Sequence, residues 1–373
     1  MRIALFSSSI DAKDGYGNIT YELCMHHAAH GVEFTLFLPR SQQQVVESLS
    51  LPFPVYCVLP EYIFRIYQPK ALKYWRTVDI SDFDVVHSLF AFPYCFIAAR
   101  SARKYRKPFL MGAQGTHGVR PLTYWPERLL LKWCYRIAQH IVVPSEFTQR
   151  MIQEYAHVHY PIEIIHNGVH FERFQKDTNV AELRRQHPNH ILLLTVGGLW
   201  GRKGHDLVLR ALALVLEQRD DVLYIIVGAG NTRPALEQLA HDLGVESHVF
   251  FAGPQRGDDL VRYFQACDIY VHTPRVTGLK FEGFGIVYLE ASACGKPIVA
   301  TDSGGIRDAV LHDKTGLVVS DQDINGIADA ILAMCVDESL RRRLGDAGRE
   351  YACQHDWSFV ARQFEKLYGG VHA

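Results

Sequence analysis

Two carboxylates eight positions apart, Glu282 and Glu290, bracket the segment EGFGIVYLE. Between them a glycine-rich turn runs straight into an apolar stretch compatible with a helix. Amides at such a junction lack intrahelical partners, and the helix dipole favours an anion there. Glu290 falls about one and a half turns inside that helix, so both carboxylates can face one ligand. Phosphate at the amides and hydroxyls at the carboxylates describe a nucleotide sugar.

Other residues offer chemistry that fits. TVGGLWGRKGHDL sets Arg202 and Lys203 after an apolar run and just before a helical pattern, with Gly198 in the flanking Gly-Gly pair. An Arg fork and a compact Lys charge beside a helix N-terminus suit a diphosphate, including the charge that grows on a departing one. His117 lies among glycines in MGAQGTHGVRP, where an imidazole can hydrogen-bond a reacting sugar or shuttle a proton; with 19 histidines in the chain, the default reading is structural. DAKDGYGNITYEL brings Gly15 and Gly17 to the first turn, as a close approach for a ligand or as a turn that needs positive φ. It is not GxGxxG, which argues against a nicotinamide dinucleotide. His26 and His30 have metal-ligand spacing without a third partner and read as a helix face. Asp82–Asp84 precedes a strand and Asp321–Asp323 reads as loop and helix cap, so no metal site is expected.

These residues need a scaffold, and the apolar runs predict one. RIALFS, EFTLFLP, VYCVLP, DVVHSLF, PFLMGAQ, HIVVPS and IEIIHNG occupy the first half; ILLLTVGG, VLYIIVG, HVFFAG, IYVHTP, PIVAT and GLVVS the second. The runs are continuous rather than alternating, as parallel strands covered on both faces require. Helical patterns lie between them, among them 17–30, 128–139, 145–155, 205–218, 234–243, 258–267 and 285–294. The expectation is α/β: two Rossmann-like doubly wound domains, 1–168 and 169–356, with a helix at 357–373 that packs back on the first. The crossover at HFERFQKDTNVAELRRQHPNH reads as polar and irregular.

Bulk numbers agree with a globular enzyme. At 373 residues two domains are the natural expectation, and 48% hydrophobic with 21% charged residues is an ordinary globular composition. Residues 1–168 carry 17 Lys and Arg against 13 Asp and Glu, a mildly basic half that fits an acidic acceptor, a membrane surface or ordinary variation. Eight scattered cysteines form no metal or redox motif and point to a reducing compartment. MRIALFSSS has too short an apolar run for a signal peptide, and nothing in the sequence reads as a membrane span or a nucleic-acid site. The expected location is cytoplasmic, either free or peripheral at the inner face of the membrane.

In order and spacing, TVGGLWGRKGHDLVLRAL, IIVGAG, VFFAG, EGFGIVYLEASACGKPIVATDSGGIRDAV and TGLVV resemble the retaining glycosyltransferases of family four, with VVPSEFTQRMI and IIHNGV as upstream counterparts. The resemblance implies the GT-B fold, two Rossmann-like domains facing each other across a cleft, and transfer from a UDP- or GDP-sugar without a metal cofactor. The acceptor would be a saccharide or lipid-linked saccharide. It implies Glu282 on the sugar hydroxyls, Glu290 on the ribose, and the amides of Phe284, Gly285 and Ile286 near sugar and phosphate. Arg202 and Lys203 would hold the diphosphate, with Gly198 and Gly17 beside the donor, His117 on the sugar, and Ser145 and Asn167 as supports.

The chain departs from the family pattern at Thr273-Pro274, where Pro-Ser is usual, at Asp308 in place of a glutamate, and at GYGN in place of Gly-Gly. Alternative readings are a nucleotide-sugar epimerase or hydrolase on the same fold, and a non-catalytic nucleotide-sugar-binding protein. YIFRIYQPKALKYWR interleaves aromatics with Arg65, Lys70, Lys73 and Arg76, and WPERLLLKWCYRIA adds Trp125, Lys132 and Trp133. Such patterns rest on anionic membrane surfaces or belong to core-facing helices with charged outer faces.

Overall fold

The computed structural model describes residues 1–12, 14–61, 74–157 and 162–372. The chain divides into two compact units, Met1–Asn167 together with the segment from Trp357 onward, and Gly168–Asp356. Each of the thirteen apolar runs is a strand, and every pairing between the strands is parallel. The α/β, doubly wound architecture follows in both units.

In the first unit the strands are β1 (Arg2–Phe6), β2 (Glu33–Pro39), β3 (Val55–Leu59), β4 (Val85–Ser88), β5 (Phe109–Gly112), β6 (His140–Val143) and β7 (Ile162–Ile164), in the order β3-β2-β1-β4-β5-β6-β7. Leu5 pairs with Leu36 on one side and His87 on the other, so the strand order reverses at β1. In the second unit β8 (Ile191–Val196), β9 (Val222–Val227), β10 (Val249–Gly253), β11 (Ile269–His272), β12 (Ile298–Thr301) and β13 (Gly316–Val319) run β10-β9-β8-β11-β12-β13. Here the reversal falls between β8 and β11. Crevices outside the carboxyl ends of strands at such reversals are where these sheets bind ligands.

Alternate residues of the second sheet feed separate cores. Leu192, Leu194, Ile225 and Tyr270 join the cluster under the helix Ile286–Ala293, while Leu193, Tyr224, Ile226 and Val271 join the one under His205–Leu216. Both faces are dry, which is why the strands read as continuous apolar runs.

The crossover is more ordered than its polarity suggests. It contains the short helices Phe171–Gln175 and Ala181–Gln186, each pinned by one buried apolar side chain, Phe174 and Leu183. The final helix, Trp357–His372, belongs to the first unit and buries Trp357, Val360, Phe364 and Tyr368, while Phe359 stays half-exposed. Its Tyr368 hydroxyl lies 2.8 Å from His87 Nδ1, and Glu365 Oε1 lies 3.0 Å from His27 Nδ1 and 2.8 Å from His30 Nδ1.

Arg65, Lys70 and Lys73 lie outside the described residues. The helix Glu127–Ile137 turns Leu131, Cys134 and Tyr135 into the core, and Trp125 before it is 68% exposed. Among the described residues no helix is long and apolar enough to cross a membrane.

Candidate functional site

The loops that leave β8 and β11 in the second unit meet. After β8 the chain makes a single 3-10 turn, Gly201–Lys203, and enters the helix His205–Leu216 through Gly204. Gly204 adopts φ +73°, and a Cβ there would stand 1.7 Å from the Thr273 carbonyl oxygen. The Thr273 hydroxyl donates to the Gly204 carbonyl (2.8 Å), and the Arg275 amide donates to the Arg202 carbonyl (2.8 Å). Arg275 also pairs with Asp206 in the first turn of the helix. The segment after β11 thus clamps the turn that carries Arg202 and Lys203.

Clamped in this way, both cations reach one carboxylate. Lys203 Nζ lies 2.6 Å and Arg202 Nη1 3.1 Å from Glu282 Oε2. Burial alone would raise the Glu282 pKa, but the attraction of Lys203 and Arg202 prevails and brings it down to about 2. Glu282 is therefore ionised at neutral pH. Two cations against one carboxylate leave a net charge of about +1, an environment suited to an anion.

Glu282 leads into Gly285, which has φ +91° and starts the helix Ile286–Ala293 with no side-chain cap. A Cβ at Gly285 would stand 2.6 Å from the Tyr288 ring and 3.6 Å from Glu282 Cγ, so the helix N-terminus abuts the ion triad. Phe284 points into the core and can offer a ligand only its backbone. Glu290 is half-buried in the second turn of that helix. Gly198 lies under the Trp200 indole, whose Nε1 would be 2.4 Å from a Cβ placed there.

Two histidines that the sequence reading passed over sit beneath this loop. His205, buried at the helix start, has Nε2 3.4 Å from the Gly198 carbonyl oxygen and Nδ1 3.4 Å from the Tyr224 hydroxyl, which donates to Thr195 Oγ1 (2.8 Å). Burial lowers its pKa to about 4. His272 ends β11 fully buried, with neither ring nitrogen hydrogen-bonded among the described residues. Burial and then the charge of Lys203 hold its pKa well below the usual value. The alternation of IYVH placed His272 on the face of Tyr270; that was the available signal.

In the first unit, His117 lies in the short helix Thr116–Val119 after β5. Its ring meets Tyr16 edge-on at 5.0 Å, and Tyr16 in turn meets Phe90 at 4.6 Å. The loop of His117 and the turn of Gly15 and Gly17 are thereby brought together through Tyr16, a residue the motif reading did not select. Asp14 caps the following helix by accepting from the Gly17 amide (2.7 Å), and a Cβ on Gly17 would collide with the Asp11 carbonyl. Ser145 caps the helix Glu146–Ala156, and Asn167 donates to Gln114 Oε1 (3.2 Å).

The paired aspartates are otherwise engaged. Asp84 accepts from the Arg2 amide (2.7 Å), and Asp323 caps the helix Ile324–Val336. His26 lies 4.0 Å from Glu22, and His30 meets Glu365. Among the described residues no three His, Cys, Asp or Glu side chains converge as metal ligands.

The architecture recurs in solved structures. Anabaena HepE in complex with UDP superposes with a TM-score of 0.82 over 99% of this chain and 100% of that one, at 20% identity. The shared fold is the two-domain α/β fold of GT-B proteins. Two family models match in tandem, Glycosyltransferase Family 4 over residues 13–173 and Glycosyl transferases group 1 over residues 176–351, and the chain belongs to this family.

Among curated relatives, a GDP-mannose-dependent alpha-(1-6)-phosphatidylinositol monomannoside mannosyltransferase of Mycobacterium tuberculosis is 35% identical over 218 residues, 57% of each chain. A D-inositol 3-phosphate glycosyltransferase of Corynebacterium jeikeium is 32% identical over 240 residues, 61% of this chain and 56% of that one. The alignments thus span little more than half the length of these relatives.

Proposed function

We propose that this protein is a retaining glycosyltransferase that moves a hexose from a UDP- or GDP-sugar to a hydroxyl of a saccharide or lipid-linked saccharide. The observation that carries this reading is the triad of Arg202, Lys203 and Glu282 beside the uncapped start of the helix Ile286–Ala293. On binding, the diphosphate takes over Arg202 and Lys203, with the amides of Gly285 and Ile286 and the backbone at Gly198 close by. Glu282, released from the cations, accepts hydrogen bonds from hydroxyls of the transferred sugar. Glu290 accepts from the ribose. His117 hydrogen-bonds the sugar, and Gly17 keeps the first turn open on the donor side. The mannosyltransferase relative, named for GDP-mannose, makes that the first donor to try.

In the reaction the bond from the anomeric carbon to the diphosphate oxygen breaks, and the acceptor oxygen bonds to that carbon on the same face. The acceptor proton passes to the departing phosphate oxygen, and nucleoside diphosphate leaves. Arg202 and Lys203 stabilise the growing negative charge. They supply the positive charge that a divalent cation would otherwise bring, so turnover is expected to persist in chelator. The test is nucleoside diphosphate release from GDP-mannose and from UDP-hexoses, with and without saccharide acceptors. Release that requires acceptor supports transfer; equal release without it supports hydrolysis, and epimerised donor supports the epimerase reading.

A further inference from the structure

We propose that the first unit carries a second anion site, formed by Trp75, Arg76, Arg100, Arg103, Lys104 and Trp133, for a phosphate ester on an apolar or sugar body. These residues line a cavity of about 670 Å³ with Thr77. Among the described residues no carboxylate lines it and none of its four cations is ion-paired. Lys104 Nζ donates to two hydroxyls, Tyr105 at 3.1 Å and Thr77 at 3.5 Å. Asp79 is close enough for Lys104 to contribute, as the smallest of several causes, to lowering its pKa, but it does not line the cavity.

Arg100 is the informative member. Its guanidinium stands 5.2 Å from the centroid of Trp75 and 5.9 Å from that of Phe96, and its buried Nε has no hydrogen-bond partner among the described residues. Ring faces hold a cation but leave its N–H donors unused. Four like charges with no carboxylate among the lining residues repel one another, and a phosphate relieves that repulsion while taking up the Arg100 Nε donor. The arrangement is built rather than loose. The Val78 amide donates to Ser101 Oγ (2.9 Å), fixing the strip from Trp75 to Thr77 against the helix Cys95–Tyr105 that carries the other cations. Trp75 and Trp133 both meet Phe96 edge-on, at 5.1 and 5.7 Å, and Trp75 remains 46% exposed. Indole surface beside the cations suits the non-phosphate part of the ligand. An anionic phospholipid headgroup and a soluble sugar phosphate share this chemistry.

The test uses the full chain with two probes, soluble glycerol 3-phosphate and phosphatidylcholine vesicles with and without phosphatidylglycerol. Binding is followed by tryptophan fluorescence and by cosedimentation. Wild type is expected to bind at least one probe, and R100Q/R103Q to bind it about tenfold more weakly. R76Q/K104Q alters only exposed side chains and should show the same direction even if Arg100 is needed for packing. R233Q/R342Q, which removes exposed cations of the second unit, should bind as wild type. Binding of vesicles alone assigns a lipid headgroup; binding of soluble ester, an unanchored phosphate ester. Failure of both probes, wild-type binding by both cavity variants, or an equal loss in the R233Q/R342Q control overturns the proposal.

Discussion

Arg202, Lys203 and Glu282 satisfy one another before any donor arrives, so each should respond differently to replacement. On the proposed function, in which Arg202 holds the departing diphosphate, Arg202→Ala should lower kcat by about 10²-fold, read in initial rates at saturating donor. Glu282→Gln should split two quantities. It frees the cations, so nucleoside diphosphate alone should bind roughly fivefold tighter. With Glu282 in its proposed role on the sugar hydroxyls, turnover should also fall. A variant that lost both together would mean that Glu282 serves the loop rather than the sugar. Glu282, with a native pKa near 2 against an ordinary 4.5, contributes stability that is complete above pH 4.5 and lost as pH falls toward 2. It therefore should not produce the acidic limb of an activity profile near neutrality.

Four buried histidines, His27 and His87 in the first unit and His205 and His272 in the second, have pKa values lowered by burial, His87 to about 3 and His205 to about 4. Below the unfolded value near 6.5, the unfolded chain takes up protons that the native sites refuse. Stability should therefore fall with pH from about 6.5, by about 1.4 kcal/mol per pH unit for each such histidine until its native pKa is reached. Denaturant melts from pH 7 to pH 4 measure this, and His87→Phe should flatten the slope if the fold accepts it. A slope near zero would show that these rings are solvated.

Strands and turns also mark the limits of reading the sequence. The thirteen strands were legible because both faces of each sheet are covered, which forces continuous apolar runs. The two crossover helices were not, since Phe174 and Leu183 each anchor a helix through a single buried side chain, too little for a periodic signal. The residues of the ion triad were identifiable from their loops, but their mutual pairing was not. It depends on the Thr273 and Arg275 bonds to the Gly204 and Arg202 backbone, about 70 residues apart in sequence, which no local pattern encodes. Tyr16 and His272 were missed for a related reason: an aromatic or histidine in an apolar context reads as core. Gly204→Ala should disturb this clamp, because its Cβ would overlap the Thr273 carbonyl; loss of nucleotide binding with the fold retained is the expected result.

The final helix ties the end of the chain to the first unit, although residues 168–356 intervene. Truncation after Asp356 removes Trp357, Val360, Phe364 and Tyr368 from that unit's core and leaves His87 and His27 without Tyr368. Differential scanning calorimetry should then show the first unit's transition shifted down, with nucleotide-dependent stabilisation of the second preserved. A uniform loss of both transitions would mean that the units do not melt separately.

Whether the second unit holds a nucleotide diphosphate through Arg202 and Lys203 can be decided by isothermal titration calorimetry. GDP and UDP, titrated into wild type and into R202A/K203A without added metal, should reveal at least one nucleotide that wild type binds. The double variant, folded by circular dichroism, should bind that nucleotide at least about 10²-fold more weakly. Equal affinity in the two proteins, or no binding of either nucleotide by wild type, would contradict the donor site described above.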